Sequence, residues 1–541
     1  MTTAVVDSDA GALRPTDRST PVGPRRDAAG PWWWVAHVGV FGLVAEVAFV
    51  HLGTADAAPD EYTYYHCGQA YLHGNFGCNP EHPPLAKEIL GLGSLLFGDS
   101  LTAARAVTAV FAVLTAYACY LFCRDVAGRA AGLVAAAMWG LLPQAGVENH
   151  TTLEAVRVDR FALLDPFVAT FVAFALVAGA RLARRGGAGT ALLLGGAVAA
   201  AACAKAPGAL IAPVACVIPL VMRKRRGLRV AREAVAIVVG GIVVGAACYA
   251  PRGPVGAFRA IQYMFDFQTA HAAREVVVGG HFYTAAPWWS DLAFATGALG
   301  AVLAVTLALL VIAGTVCSPR AGGYALAVGA SIVIGVGVGL HLSAPHYFID
   351  WEPAVIDVAA LGIVGVASHV GGARVRGASS SLAVRVAAAV VVLAVASILV
   401  TGGVRTVSAA NTVRPGPYAA AARVMRCDHA CVVAYVGFLG TFAGYLPADE
   451  YLSAVPPSTR VGRVVARVRA DGKVTFAQPD IVALDPAAYV LHGSWRKSIR
   501  YFEAHWQSLG YRRVPSASRI EVYRRTNTAA FGPDGLVAPA R

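Results

Sequence analysis

The sequence predicts an α-helical protein that crosses a membrane about eleven times and ends in a small α/β domain. Of its 541 residues, 57% are hydrophobic and only 14% are charged, whereas about 25% are charged in an average soluble protein. Stretches of roughly 20 apolar residues, the length that spans a bilayer, recur through residues 32–402. After residue 402 the apolar runs become short. Together these observations predict an integral membrane protein.

About eleven stretches have the length and apolarity of a membrane-spanning helix. They are residues 32–53, 106–123, 130–146, 161–180, 188–204, 206–222, 233–250, 291–316, 324–342, 353–370 and 386–402. The fifth and sixth are short and meet at residues 205–208, so one broken or re-entrant pair is an alternative there. Residues 1–31 are rich in Pro, Gly, Asp and Arg, and we expect them to be a disordered leader.

Arginine is concentrated on one side of the predicted spans. The clusters are Arg14 to Arg26, Arg124 with Arg129, Arg181 to Arg185, residues 223–232, and Arg374 to Arg385. Because Lys and Arg are retained in cytoplasmic loops, this predicts a plasma-membrane protein with a cytoplasmic N-terminus. Residues 54–100 and 403–541 are then extracytoplasmic. The net charge of +13 partly reflects this bias, so we interpret residues 223–232 as contacting anionic lipid and predict no nucleic-acid partner.

The tail, residues 403–541, alternates strand-like and helix-like runs. Residues 431–436 and 480–484 resemble strands, and residues 418–425 and 494–509 resemble helices, which predicts a small α/β domain. Cys427 and Cys431 lie in this tail, and Cys67 and Cys78 lie in the first outer loop. Disulfides are permitted on that side of the membrane, so each pair is a candidate disulfide.

The first outer loop, residues 54–100, is rich in groups that an ordinary connection does not need. It contains Asp60 and Glu61, followed about twenty residues later by Glu81, His82 and Lys87. Other predicted outer turns carry Glu148, His150, Glu154, Arg157, Asp159, Arg160, Asp165, Lys205, His281, Tyr283, Trp288, Trp289, His341, His346 and Tyr347. Ionisable groups near a bilayer usually mark function or line a watery cavity. The loop is therefore the predicted working site.

The chemistry follows from the predicted side of the membrane. ATP and nucleotide sugars are absent outside the cell, and the sequence has no glycine-rich phosphate loop of the nucleotide-binding type. A lipid-borne activated substrate fits these constraints. Sugar transfer from a polyprenyl phosphate needs a carboxylate to take the acceptor proton and cations to hold the phosphate. Asp60 is the candidate base, and the candidate phosphate partners are Arg160, Lys205 and His346.

Several of these residues also have structural interpretations. The Asp60–Glu61 pair can simply cap a helix, His82 can pack, and Lys205 can extend to the membrane interface. We favour a bracing role for Asp165 beside a cation, while Trp288 and Tyr283 can shield a sugar or sit in the interfacial aromatic belt. Glu81, His82 and His281 are candidate ligands for a divalent metal ion, although their separation is unlike that of a compact metal motif.

Three segments carry a resemblance to a known family. Residues 79–87 (NPEHPPLAK), 159–166 (DRFALLDP) and 281–289, with the Asp60–Glu61 pair, resemble protein O-mannosyltransferases. More broadly, residues 32–370 resemble the phospholipid-carrier-dependent glycosyltransferases of the multi-spanning GT-C fold. The resemblance implies that Asp60 is the catalytic base, that Glu61 helps to place the acceptor and that Arg160 holds the donor phosphate. The long luminal insert of eukaryotic members is missing from this sequence.

The leading hypothesis is a membrane glycosyltransferase with a polyprenyl-phosphate sugar donor. Its acceptor is a hydroxyl of a protein, a lipid or a cell-wall polysaccharide, and the sequence identifies neither the acceptor nor the sugar. One alternative is a flippase or transporter of lipid-linked sugars, which predicts paired broken helices and an internal repeat. Another is a non-catalytic cell-envelope assembly protein whose exported domain binds glycan.

Overall fold

A computed structural model describes most of the chain. The described residues are 30–58, 60–144, 157–223, 227–270, 276–278, 281–372, 382–425, 433–436, 451–452, 465–468, 474–477, 480–486 and 502–526. Residues 1–29 of the predicted leader, together with Glu148, His150, Glu154 and the Cys427 and Cys431 pair, lie outside them.

Helices dominate the described part of the chain. They are α1 (Pro31–Phe49), α2 (Glu61–Leu72), α3 (Leu85–Phe97), α4 (Leu101–Ala127), α5 (Arg129–Leu141), α6 (Asp165–Arg185), α7 (Ala188–Ala204), α8 (Ala212–Val221), α9 (Leu228–Tyr249), α10 (Gly253–Ala270), α11 (Ser290–Leu299), α12 (Ala301–Cys317), α13 (Pro319–Ile334), α14 (Glu352–Gly372), α15 (Leu382–Asn411) and α16 (Pro417–Met425). Short 3₁₀ segments include Val158–Arg160, Ala206–Ile211 and Tyr347–Asp350.

The predicted multi-spanning helical fold is confirmed. By length and composition, six helical stretches of the described chain can cross a membrane, or seven if the bent α11 and α12 pair forms one span. Helices α5 and α7 and the segment 206–221 are apolar but shorter. The predicted total of eleven spans stays a prediction. Helix α7 ends at Ala204 and Lys205 is extended before the next helical segment, so the fifth and sixth stretches are separate helical pieces.

Close backbone contacts hold the helix bundle together. A Cβ on Gly195 would lie 1.8 Å from the Ile237 carbonyl oxygen, which brings α7 against α9. A Cβ on Gly314 would lie 1.9 Å from the Val358 carbonyl oxygen, which brings α12 against α14. Small residues drive helix association in membranes because they let two backbones approach each other. Substitution of either glycine would therefore separate its helix pair.

The tail contains the predicted sheet. Its strands are β3 (Val433–Val436), β4 (Tyr451–Leu452), β5 (Val465–Val468), β6 (Val474–Ala477), β7 (Ile481–Leu484), β8 (Tyr511–Val514) and β9 (Glu521–Arg525). Five of them form a mixed sheet in the order β4-β3-β7-β9-β8, in which β3 runs parallel to β4 and β7. A separate hairpin of β1 (Val276–Val278) and β2 (His281–Tyr283) lies between α10 and α11. Helix α15 continues to Asn411, past the predicted domain boundary at residue 402.

Candidate active site

Asp60 and Glu61 stand at the start of α2 but in opposite environments. Asp60 occupies the position that precedes the helix, and its side chain is exposed. Glu61 is the first helical residue and is fully buried. Asp60 is therefore the acid of this pair that a substrate can reach.

Four hydrogen bonds from protein groups hold the Glu61 carboxylate in place. Its Oε1 accepts from Arg105 Nε at 2.8 Å and from the Ala162 amide at 2.6 Å, while its Oε2 accepts from Arg105 Nη2 at 2.6 Å and from the Ala58 amide at 2.7 Å. Arg105 also donates to the carbonyl of Leu52 at 2.7 Å. Glu61 therefore ties the start of α2 to α4 and to the 161–162 segment, and thereby fixes the position of Asp60.

Lys87 also forms its hydrogen bonds within its own loop. The side chain is buried, and its Nζ donates to the carbonyl oxygens of Asn79 at 2.5 Å and His82 at 2.9 Å. Asn79 in turn donates to Glu81 Oε1 at 2.6 Å. Lys87 thus holds the turn that carries Glu81 and His82.

A disulfide closes the same loop. Cys67 on α2 and Cys78 before the turn are bonded, with their Cα atoms 5.3 Å apart. This pair is one of the two candidate disulfides that the sequence suggested. The bond fixes the end of α2 to the segment that leads into residues 79–84.

A second polar group lies where α6 begins and α7 ends. Lys205 Nζ donates to Asp165 Oδ1 at 2.6 Å, and His346 Nε2 lies 4.0 Å from Asp165 Oδ2. Lys205 Nζ also sits 3.9 Å from the centroid of the Tyr347 ring. Three predicted site residues, Asp165, Lys205 and His346, are therefore together. Asp165 makes the cation-bracing contact that we expected of it.

The charge of this group is concentrated on Lys205 and Asp165. Burial lowers the pKa of His346 to about 4, even though Asp165 opposes that shift. His346 is therefore neutral near pH 7 and can offer a phosphate a hydrogen bond, but no charge. Asp350 is buried nearby, and its Oδ1 has no hydrogen-bond partner among the described residues.

Tyr64 connects the two groups. Burial raises the pKa of its phenol, and the neighbouring charges of Asp60 and Asp165 raise it further. Its ring also packs edge-on against His82, with centroids 5.7 Å apart. Tyr64 thus lies within electrostatic range of both Asp60 and Asp165. The loop of residues 54–100 and the Lys205 group are consequently close to each other.

Arg160 is a buried cation with spare donors. Its Nη2 donates to the carbonyl of Val50, whereas Nε and Nη1 have no hydrogen-bond partner among the described residues. Burial lowers the pKa of Arg160 only to about 10, so the side chain stays charged near pH 7. Leaving buried donors unsatisfied is costly. An anion such as a phosphate would remove that cost.

His281, Tyr283 and Trp288 lie on the β1–β2 hairpin and the turn after it. His281 and Trp288 are exposed, and the Tyr283 ring packs edge-on against Trp289 with centroids 5.9 Å apart. Their predicted contact with a sugar stays a prediction.

Over the described ranges, no three His, Cys, Asp or Glu side chains form a group that could hold a metal ion. Glu81, His82 and His281 do not converge.

Sequence reasoning missed Tyr64, Arg105 and Asp350. Tyr64 follows Asp60 by four residues, which places both on one face of a helix, and that spacing was a usable signal. Arg105 stands near the start of a long apolar helix, where an ionisable residue indicates a specific partner. Asp350 had no comparable local signal.

The helix bundle thus combines an exposed acid, Asp60, with two buried cations, Arg160 and Lys205. Residues 81–252 match a family model described as dolichyl-phosphate-mannose-protein mannosyltransferase. No curated protein sequence matches the chain.

Two solved structures have a similar fold. One is ArnT from Cupriavidus metallidurans bound to undecaprenyl phosphate, with 17% identity, a TM-score of 0.54 and coverage of 93% of this chain and 100% of that chain. The other is the archaeal oligosaccharyltransferase AglB from Archaeoglobus fulgidus with an inhibitory peptide and a dolichol-phosphate, with 10% identity, a TM-score of 0.51 and coverage of 87% and 72%. The family match and this fold confirm the predicted resemblance to the GT-C glycosyltransferases, and with it the predicted enzyme class.

Proposed function

We propose that the protein transfers a sugar from a polyprenyl-phosphate donor to a hydroxyl acceptor, with Asp60 as the general base. The observation that carries this proposal is the contrast at the start of α2. Asp60 is exposed, while its neighbour Glu61 is anchored by Arg105 and two backbone amides. A catalytic base needs such a fixed position and access to the acceptor.

The reaction then follows from these groups. Asp60 takes the proton of the acceptor hydroxyl, whose oxygen attacks the anomeric carbon of the sugar. The bond from that carbon to the phosphate oxygen breaks, and polyprenyl phosphate departs with the electron pair. Cations stabilise the charge that develops on the phosphate. The leading cation is Arg160, because two of its buried donors have no partner in the described chain.

Lys205 is the second proposed phosphate partner. Its ammonium is already paired with Asp165 at 2.6 Å, so a phosphate would share it with that carboxylate. His346 is proposed to add a neutral hydrogen bond. Lys87 is proposed to support the loop, because its donors already serve Asn79 and His82.

The similar structures support a lipid-phosphate donor. ArnT was solved with undecaprenyl phosphate and AglB with a dolichol-phosphate, and the family description names dolichyl-phosphate-mannose. A mannosyl donor is therefore the first to test. The Cys67–Cys78 disulfide supports the proposed extracytoplasmic side for this loop, since such bonds persist in oxidising compartments. The N-terminus is then proposed to be cytoplasmic.

The test uses the purified full chain with a panel of polyprenyl-phosphate monosaccharides and hydroxyl acceptors, and product is measured by mass spectrometry. We expect transfer from one donor, and a loss of about 10²- to 10⁴-fold in Asp60→Asn, the usual contribution of a general base. Asp266→Asn is the matched control, because Asp266 is an exposed acid on α10 and should keep full activity.

Two results would overturn the proposal. Normal turnover by Asp60→Asn would remove the base assignment. Movement of a lipid-linked sugar across reconstituted vesicles with no glycosylated product would instead indicate a flippase. Parallel assays with and without EDTA test the remaining hypothesis of a divalent metal ion.

A further inference from the structure

A large cavity opens at the far end of α6 from Asp165. Its volume is about 970 Å³, and its arginines are Arg184, Arg185, Arg223, Arg229 and Arg320. Helix α6 has 21 residues, so at about 1.5 Å per residue the cavity lies roughly 30 Å from Asp165. It is therefore separate from the candidate active site. The proposed transfer reaction does not use it.

The acidic partners near this cavity are already occupied. Arg223 Nη1 pairs with Glu233, and Arg184 Nη2 lies 3.9 Å from Asp125 Oδ2. Asp125 is shared with Arg124 at 2.8 Å and Arg181 at 2.6 Å. These two carboxylates thus serve four arginines, and neither of them lines the cavity.

Three lining arginines carry uncompensated charge. In the described part of the chain, Arg185, Arg229 and Arg320 form no ion pair within 4.0 Å. They come from three different helices, α6, α9 and α13. Like charges brought together in this way repel, so an anion bound among them would stabilise the arrangement.

Two helix N-termini add to the positive potential. Helix α9 begins at Leu228 and α13 at Pro319, and each contributes lining residues from its first turn. The N-terminus of a long helix has unsatisfied amides and a partial positive charge, which together favour phosphate. The C-terminus of α6 also meets the cavity, but Arg184 and Arg185 offset its negative end.

Exposed apolar side chains are close along the chain to the residues that line the cavity. Val221, Leu228 and Val316 are largely exposed, and each lies within two residues of a lining residue. A cationic cavity beside an apolar surface matches the headgroup and acyl chains of a lipid better than a soluble anion. We propose that this cavity binds the phosphate headgroup of an anionic phospholipid, and so joins the ends of α6, α9 and α13.

The test is a lipid titration of the purified full chain in uncharged detergent, followed by thermal unfolding. A ligand that binds only the folded state raises the melting temperature. The probes are phosphatidylglycerol, phosphatidylcholine and inorganic phosphate at constant ionic strength. We expect phosphatidylglycerol to stabilise the protein at concentrations at which the other two do not.

The variant Arg229→Gln/Arg320→Gln should weaken phosphatidylglycerol binding at least about tenfold, because each charge-assisted hydrogen bond contributes about that factor. The matched control is Arg259→Gln/Arg512→Gln, which removes the same charge from two exposed arginines outside the cavity lining and should bind like the wild type. If the double variant does not purify, Arg320→Gln alone gives the readout, since this side chain is exposed.

Two outcomes would overturn the proposal. Equal binding by the wild type and the cavity variant would show that the cavity is not the site. Equal stabilisation by phosphatidylcholine or by inorganic phosphate would show that the ligand is not an anionic lipid.

Discussion

At the scale of single residues, adjacent polar side chains have different tasks because the fold buries them differently. Asp60 is exposed, whereas Glu61 is buried and bonded on both carboxylate oxygens. Lys87 and Lys205 are both buried, yet Lys87 binds carbonyl oxygens while Lys205 pairs with a carboxylate. The partner, more than the residue type, decides which group can meet a substrate.

His346 gives a prediction about pH at this scale. Its pKa is about 4 in the folded protein and about 6.5 when unfolded. The unfolded chain therefore gains a proton first as the pH falls. We expect the free energy of unfolding to drop by about 3 kcal/mol between about pH 6.5 and 4, with this contribution fully present above that range.

The measurement is thermal unfolding of the wild type and His346→Gln across this pH range. The difference between the two proteins removes the contribution of acid-sensitive groups that do not contact His346. The wild type should lose more stability than the variant as the pH falls. If the melting temperatures of the two proteins fell in parallel as the pH fell, the conclusion that burial lowers the pKa of His346 would be contradicted.

At the scale of elements, the ion pair of Glu61 and Arg105 joins α2 to α4. Both side chains are buried, with exposures of 0% and 3%, so removing one partner leaves a buried charge alone. We expect Arg105→Leu to lower the free energy of unfolding by about 3–5 kcal/mol. Thermal unfolding in detergent measures this loss.

The control for Arg105→Leu is an exposed ion pair of the tail. Arg513 pairs with Glu521 at 2.7 Å, but its side chain is 59% exposed, so Arg513→Leu should cost less than about 1 kcal/mol. The double variant Arg105→Leu/Glu61→Leu should recover part of the lost stability, because it leaves no unpaired charge. If Arg105→Leu and Arg513→Leu lowered the free energy of unfolding by similar amounts, the buried ion pair of Glu61 and Arg105 would not stabilise the fold as we expect.

At the scale of the whole molecule, the tail is bonded to the loop that carries Asp60. The buried Asp56 carboxylate accepts from the backbone amides of Tyr418 at 2.9 Å and Ala419 at 3.3 Å, at the start of α16. Arg105 also donates to the Asp56 carbonyl at 3.0 Å. These hydrogen bonds therefore join the tail, the loop of residues 54–100 and α4.

We expect Asp56→Ala to loosen α16, because a capping carboxylate contributes about 0.5–2 kcal/mol. Amide hydrogen exchange of residues 417–425 should accelerate by about 2- to 30-fold, the range that corresponds to this loss of free energy. Asp266→Ala, on the exposed face of α10, is the control. Unchanged exchange in Asp56→Ala would show that other contacts hold α16.

Much of this architecture could be predicted because its signals are local. The stretch 165–185 is apolar over a full span, and β7 lies within the predicted strand 480–484. Asp165 was correctly expected beside a cation. The roles of Glu61 and Lys87 were harder to predict from the sequence, because a polar residue in a loop can bind either a substrate or other groups of the same loop.

The sequence by itself determined the multi-spanning membrane fold, since composition and apolar periodicity are properties of contiguous residues, and its motifs carried the resemblance to the glycosyltransferases. Only the tertiary structure decided which polar groups are already engaged. Arg105 meets Glu61 across 44 residues, and Lys205 meets Asp165 across 40. Such pairs depend on how helices pack, because electrostatic partners are chosen by distance in space and not by position along the chain.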